Sequence, residues 1–120
     1  MYAIREPAVA GRFYAKSADE LARSVTTMLG AVPATQGPAP KALIVPHAGY
    51  IYSGPVAAYA YHQLINIREQ VKRVILLGPV HRVPVRGLAL PGSEAFATPL
   101  GEIPIDLDAG ASIQSLPQVI

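Results

Sequence analysis

The sequence predicts an α/β fold with a mostly parallel or mixed sheet and flanking helices. Two short apolar runs flanked by breakers, 42–46 (ALIVP) and 73–77 (RVILL), have the composition of strands buried on both faces. Between them, Gly54-Pro55 places a proline where helices often begin. The order strand, helix, strand over about 42–77 predicts a βαβ unit with parallel neighbouring strands and a right-handed crossover.

A second helix is predicted over 18–30. Ser17 and Glu20 stand at capping-box spacing just before an apolar stripe. Gly30 occupies the position of a helix C-cap.

Further elements are predicted downstream. Residues 86–91 (RGLALP) are typical of a third strand. The stretch 94–106 is typical of two short strands around a Leu100-Gly101 turn, and 107–116 of a weak helix. Residues 31–41, with three prolines and a glycine, are expected to be a surface loop.

The composition is unusually apolar for a small protein. The 120 residues predict one domain, yet 51% are apolar and only 15% are charged, against a usual ~25% charged. A domain of this size has too few charges here to cover its surface. We therefore expect self-association, or a chain that forms part of something larger.

Charge and cysteine usage exclude several functions. The ten basic residues form no run, so nucleic-acid binding is not expected. With no cysteine there is no disulfide framework and no thiolate nucleophile. No apolar stretch approaches ~18 residues, so a soluble, cytoplasmic protein is expected, without membrane association.

Two histidines follow the two predicted strands. His47 follows LIV-Pro, and His81 lies four residues beyond Leu77. Since ligands of open α/β sheets bind outside the carboxyl ends of the strands, two such loops can bring both imidazoles to one metal ion. The alternative is that each is an ordinary hydrogen-bonding side chain. Two ligands are also one fewer than catalytic mononuclear sites usually take from the protein, and His62, on the predicted helix, is better explained as a packed or solvated side chain.

The sequence resembles the MEMO-like family, which includes protein B of the AmmeMemoRadiSam system. The resemblance is carried by REPAVAGRFY (5–14), PKALIVPHAGYIYSGPVAAYAY (40–61), RVILLGPVHRVPVRGLALP (73–91) and FATPLGEIPID (96–106). It implies a fold akin to the catalytic subunit of class III extradiol dioxygenases, which hold non-haem Fe(II) with two histidines and a carboxylate. His47 and His81 match the family's histidine ligands.

The chain departs from the family pattern in two ways. Family chains are about twice as long, and their downstream part carries a Glu-His-Ser element and, in several members, a cysteine ligand. Residues 1–120 therefore resemble an incomplete, N-terminal half of one MEMO-like domain. Val80 also stands where the family usually has serine, which removes a possible hydrogen bond near the metal.

Four other residues are candidates for the site. Tyr50 is a candidate catalytic proton donor near His47. Ser53 and Gly54 are candidate binding residues at the start of the predicted helix, with Ser53 as its N-cap, because a helix N-terminus favours an anion. Arg82 is a candidate partner of a carboxylate or phosphate, although loop arginines are usually solvated.

Three hypotheses remain open at this point. The first is a protein that binds a divalent metal, Fe(II), Cu or Zn, and that would be an oxidoreductase if it is an enzyme. The alternative is a non-enzymatic module that binds a phosphorylated or carboxylated peptide or small ligand. A third is a half domain that pairs with itself or with a missing C-terminal half through exposed sheet edges.

Overall fold

The α/β class is confirmed by the computed structural model, which describes residues 2–120. The elements in chain order are strand β1 (Ile4–Arg5), helices α1 (Ala18–Gly30) and α2 (Tyr50–His62), a 3₁₀ turn (Ile65–Ile67), strands β2 (Ala95–Thr98) and β3 (Gly101–Pro104), and helix α3 (Leu107–Ile113). They form two compact units. One comprises Ala8–Val74 and holds α1 and α2. The other comprises the N-terminal residues through Pro7 with Ile75–Ile120, and holds the sheet and α3.

Helix α1 has the bounds that its sequence predicts, but not the predicted C-cap. The Ser17 hydroxyl accepts a hydrogen bond from the Glu20 amide at 3.4 Å, as in half of a capping box. Gly30 is the last helical residue rather than the cap. The cap is Ala31, whose right-handed backbone lets its amide donate to the Thr27 carbonyl at 3.1 Å. The predicted glycine cap is therefore wrong, because the end of this helix needs no left-handed residue.

Helix α2 begins four residues earlier than predicted. Gly49 is its N-cap, and the amides of Tyr52 and Ser53 both donate to the Gly49 carbonyl, at 2.9 and 3.0 Å. The first turn therefore closes upstream of Pro55, which lies inside the helix. The prediction of Ser53 as N-cap is wrong for the same reason.

The two helices pack through small side chains. Ser53, Gly54 and Ala58 form the buried face of α2. On α1, Leu21 is buried, and the Met28 side chain fills the space above Gly54. Small residues on one helix thus let a long side chain of the other approach its backbone.

Strands β2 and β3 form the predicted hairpin. They pair antiparallel from Ala95↔Pro104 to Thr98↔Gly101. Gly101 has φ = 129°, which a residue with a side chain rarely adopts. The Thr98 hydroxyl closes the turn by donating to the Gly101 carbonyl at 2.8 Å and accepting from the Leu100 amide at 3.1 Å.

The N-terminal strand adds to this hairpin in parallel. β1 pairs with β2 through Ile4↔Ala95 and Arg5↔Phe96, giving the strand order β1-β2-β3. The Arg5 guanidinium lies 5.3 Å from the centroid of the Phe96 ring, in a cation–π contact between register partners. Glu94 makes two hydrogen bonds to Ala3 beside this strand pair. Its carboxylate accepts from the Ala3 amide at 2.7 Å, and its own amide donates to the Ala3 carbonyl at 2.8 Å.

The predicted βαβ unit is not formed. Within residues 2–120, neither 42–46 nor 73–77 is a strand, although α2 lies between them. Ile44 is 101% exposed and Leu77 73%, whereas Leu43 and Val45 are half-buried. The prediction is wrong because a buried parallel strand exists only where neighbouring strands accept and donate its ladder hydrogen bonds, and no segment in the described part of the chain does so here.

The elements near the C-terminus are shorter than predicted. The segment 86–91 makes a single parallel bridge, Leu88↔Val119, instead of a strand. Helix α3 ends at Ile113 rather than near residue 116. Its N-cap is Asp106, whose carboxylate accepts from the Ala109 amide at 2.9 Å.

Candidate functional site

His47 lies on an exposed turn that is tied to the buried face of α2. The Ser53 hydroxyl donates to the carbonyl of Ala48, the next residue after His47, at 2.8 Å. The carbonyl of Gly49 accepts two amides of the first helical turn. The amide of Tyr50 donates to the Phe13 carbonyl at 2.7 Å, which connects the turn to the N-terminal loop of the same unit. The backbone beside His47 is therefore held on two sides.

Tyr50 lies three residues after His47 and keeps its proton at neutral pH. The residue is half-buried, and its ring centroid lies 5.7 Å from that of Tyr14, at an interplanar angle of 44°. Burial raises the pKa of the Tyr50 phenol above its ordinary 10.0, and the neighbouring Tyr14 and Tyr61 act in the same direction. The phenol is thus a hydrogen-bond and proton donor, and not a phenolate.

Ser53 and Gly54 are used for packing. Both are buried, the Ser53 hydroxyl is committed to Ala48, and the Met28 sulfur lies against Gly54. At the N-terminus of α2, the amides of Tyr50, Tyr52 and Ser53 already donate to protein carbonyls. Sequence reasoning placed Ser53 near the site but missed its part in positioning the His47 turn, because that contact depends on where the helix begins.

His81 and Arg82 lie on a concave loop of the other unit. Residues Val80–Arg86 line an open hollow of about 810 Å³. Among residues 2–120, neither Arg82 nor Arg86 forms a salt bridge, and both are exposed. Sequence reasoning passed over Arg86. The available signal was the stretch 70–93, which has no acidic residue.

The two histidines stand in different units, and their pairing on one metal stays a prediction. His47 belongs to Ala8–Val74 and His81 to the unit containing Ile75–Ile120. No group of three or more histidine, cysteine, aspartate or glutamate side chains is placed to hold a metal within the described residues. The carboxylates of Glu94 and Asp106 have structural partners: Glu94 accepts from the Ala3 amide, and Asp106 caps α3. The imidazoles fit the donor type of Fe(II), Cu and Zn, and they provide part of a coordination sphere.

None of the helices formed by residues 2–120 has the length and apolar character needed to cross a bilayer.

Known proteins that this chain resembles bear Memo or MEMO1 names. The profile of Memo-like proteins matches residues 5–120. A MEMO1 family protein of Aquifex aeolicus is 39% identical over 114 residues, which cover 95% of this chain and 41% of that protein. A MEMO1 family protein of Methanothermobacter thermautotrophicus is 39% identical over 117 residues, covering 92% of this chain and 42% of that protein.

The similarity extends to animals. Protein MEMO1 of Homo sapiens is 39% identical over 102 residues, covering 85% of this chain and 33% of the human protein. The chain thus spans between a third and about two-fifths of the length of these relatives. The resemblance seen in the PHAGY and GPVH elements is confirmed: the chain belongs to the Memo-like family.

Proposed function

We propose that this protein is a Memo-like metal-binding protein in which His47 and His81 each give one imidazole to a shared divalent ion, Fe(II), Cu or Zn. The observation that carries the proposal is the family match over residues 5–120, which includes both histidines, each just after an apolar run. Neutral imidazoles are ligands that all three metals accept. The remaining ligand would come from polypeptide equivalent to the rest of the relatives.

The surrounding residues have defined parts in this proposal. Such an ion, with open coordination positions, would supply oxidoreductase chemistry on O₂ and a small organic substrate. His47 would bind through one ring nitrogen, oriented by the backbone that Ser53 holds through Ala48. Tyr50 would keep its proton, in keeping with its raised pKa, and would donate a hydrogen bond from its phenol oxygen to substrate.

Elemental analysis of protein purified without chelator tests metal binding. We expect a substoichiometric to stoichiometric content of one transition metal in the parent protein, and its loss in His47→Ala and in His81→Ala. His62→Ala, which removes the third histidine, serves as the matched control and keeps the metal. Equal metal content in all four proteins contradicts the proposal. Oxygen uptake with catechol-type substrates then asks whether the metal-loaded protein is an enzyme.

The loop Val80–Arg86 favours a second candidate function, a non-enzymatic module for a phosphorylated or carboxylated peptide or small ligand. Its hollow is flanked by two exposed arginines that form no salt bridge within the described chain. Guanidinium groups pair with carboxylate and phosphate in a bidentate manner. Calorimetric titration with inorganic phosphate tests this: Arg82→Gln and Arg86→Gln weaken binding, while Arg23→Gln, on α1, does not. Equal affinities in all variants contradict it.

The proposal also covers partners and location. A small-molecule or peptide ligand is expected rather than nucleic acid or membrane, because the basic residues are scattered. A cytoplasmic location is in keeping with a chain without cysteine.

A further inference from the structure

Tyr14 packs against Tyr50 from the N-terminal loop of the same unit. The two ring centroids lie 5.7 Å apart at an interplanar angle of 44°, and both residues are half-buried. Tilted aromatic pairs with centroids about 4.5–7 Å apart are favourable beyond the area that they bury. Because the two tyrosines are far apart in the sequence, the contact is made by the tertiary structure, and no motif of the sequence indicated it.

The loop that carries Tyr14 is closed by its own backbone. The Gly11 amide donates to the Tyr14 carbonyl at 2.7 Å, and the Phe13 amide donates to the Val9 carbonyl at 2.9 Å. Gly11 has φ = 81°, which favours glycine and lets the chain turn back on itself. The Tyr14 side chain therefore projects from a short loop whose backbone is held by hydrogen bonds.

The same loop is joined to the turn that carries His47. The Tyr50 amide donates to the Phe13 carbonyl at 2.7 Å. A β-carbon built at Gly49 would lie 3.6 Å from both the α-carbon and the carbonyl oxygen of Phe13, so the two backbones lie close together. Tyr50 is thus held at two points by adjacent residues of one loop, at its amide by Phe13 and at its ring by Tyr14.

We propose that Tyr14 is a positioning residue of the candidate site, whose ring fixes the direction in which the Tyr50 phenol donates. The inference rests on the proposed function, in which Tyr50 donates a hydrogen bond to substrate near His47. Burial is the largest cause of the raised pKa of the Tyr50 phenol, and Tyr14 acts in the same direction, in keeping with two neighbouring phenols. A side chain that packing already holds in place loses less conformational entropy when it binds a ligand.

Nuclear magnetic resonance of the chain with ¹³C-labelled tyrosine tests the contact without metal or ligand. We expect nuclear Overhauser effects between the Tyr14 and Tyr50 rings in the parent chain. Tyr14→Leu should bring the pKa of Tyr50 closer to its ordinary value, because the phenol loses burial, whereas Tyr14→Phe keeps the ring and most of the rise. Tyr59→Leu, on α2, is the control, since Tyr59 is 58% exposed, and it should leave the Tyr50 titration unchanged.

Calorimetric titration with catechol, on the chain supplied with Fe(II) under anaerobic conditions, tests positioning. Tyr50→Phe and Tyr14→Leu should each weaken catechol binding about 2–10-fold, as expected for one hydrogen bond, while Tyr14→Phe retains the parent affinity. The double variant Tyr14→Leu/Tyr50→Phe should bind catechol no more weakly than Tyr50→Phe, because Tyr14 acts through that phenol.

Four outcomes overturn the inference. They are the absence of a ring contact in the parent chain, an unchanged Tyr50 titration in Tyr14→Leu, equal losses of affinity in Tyr14→Leu and Tyr14→Phe, and additive losses in the double variant. The ring contact is measured in the parent chain, so the inference can be refuted even if Tyr14→Leu does not fold. A parent chain that binds neither metal nor catechol contradicts the proposed function alone, because the ring contact and the Tyr50 titration require neither.

Discussion

The sulfur of Met28 occupies the space that a β-carbon on Gly54 would need. A β-carbon built at Gly54 would lie 2.6 Å from that sulfur and 3.4 Å from the Tyr50 β-carbon. The absence of a side chain at Gly54 therefore sets how closely α1 and α2 approach.

Gly54→Ala is expected to destabilise the helix pair, although alanine favours helix. The propensity gain is about 1 kcal/mol, while overpacking costs about 1–3 kcal/mol, so we expect a free energy of unfolding about 1 kcal/mol lower. Urea unfolding followed by circular dichroism measures it. In a Met28→Ala background the same substitution becomes neutral or stabilising. Additive effects in the double mutant would contradict the packing relationship.

Gly87 is expected to tolerate no side chain. Its φ is 118°, and a β-carbon there would lie 2.5 Å from the Gln118 carbonyl oxygen, a backbone atom that cannot rotate away. Gly87→Ala should cost about 1–3 kcal/mol of strain and release the hydrogen bonds Leu88 N–H to Gln118 O and Ile120 N–H to Leu88 O, at 2.7 and 3.0 Å. Faster amide hydrogen exchange at Leu88 and Ile120 would show that these two hydrogen bonds are lost.

Gly37→Ala is the control for that prediction. Gly37 has the same φ of 118° but open space around its β-carbon position. A smaller loss of stability in Gly37→Ala isolates the contact with Gln118. Equal losses in the two variants would mean that φ alone accounts for the effect.

The raised pKa of Tyr50 predicts a loss of stability in alkali. Below about pH 9 the phenol is protonated in both the folded and the unfolded chain, so it adds no pH dependence. Above the ordinary value of 10.0 the unfolded chain loses this proton first, because burial holds it in the folded one. Stability therefore falls as the pH rises through the folded pKa.

Tyr50→Phe should reduce the loss of unfolding free energy at alkaline pH, because the variant has no phenol proton to lose. Free energies of unfolding measured between pH 8 and about 11 are compared for the parent, Tyr50→Phe and Tyr52→Phe. Tyr52 is 81% exposed and serves as the control. Identical alkaline slopes in the parent and Tyr50→Phe would rule out burial of this phenol.

Ser53→Ala tests whether the helix positions the His47 turn. The substitution removes the 2.8 Å bond to the Ala48 carbonyl and should cost about 1 kcal/mol. Amide exchange at 47–49 should accelerate, and metal affinity should fall about 10–100-fold if the turn carries a ligand. Ser24→Ala, on α1, provides the control. Unchanged exchange at 47–49 would show that the hydroxyl has no positioning role.

The sequence alone determined the elements whose contacts join residues close together in the chain. Ser17 and Glu20 specify the start of α1, because a side chain and an amide three residues apart meet within one turn. The hairpin of β2 and β3 follows from alternating residues around Gly101, whose φ needs no distant partner. The two histidines after apolar runs, and the family they indicate, were likewise readable without coordinates, since the motif is contiguous.

Tertiary structure decided everything that depends on a second segment. The runs around Ile44 and Ile75 have strand composition but remain exposed, because ladder hydrogen bonds require neighbours that the described residues do not provide. Helix α2 starts at Tyr50 rather than near Pro55 because the Tyr50 amide donates to the carbonyl of Phe13, which is far away in the sequence. Residue types specify short-range geometry, whereas pairing and burial belong to the whole set of elements that meet in space.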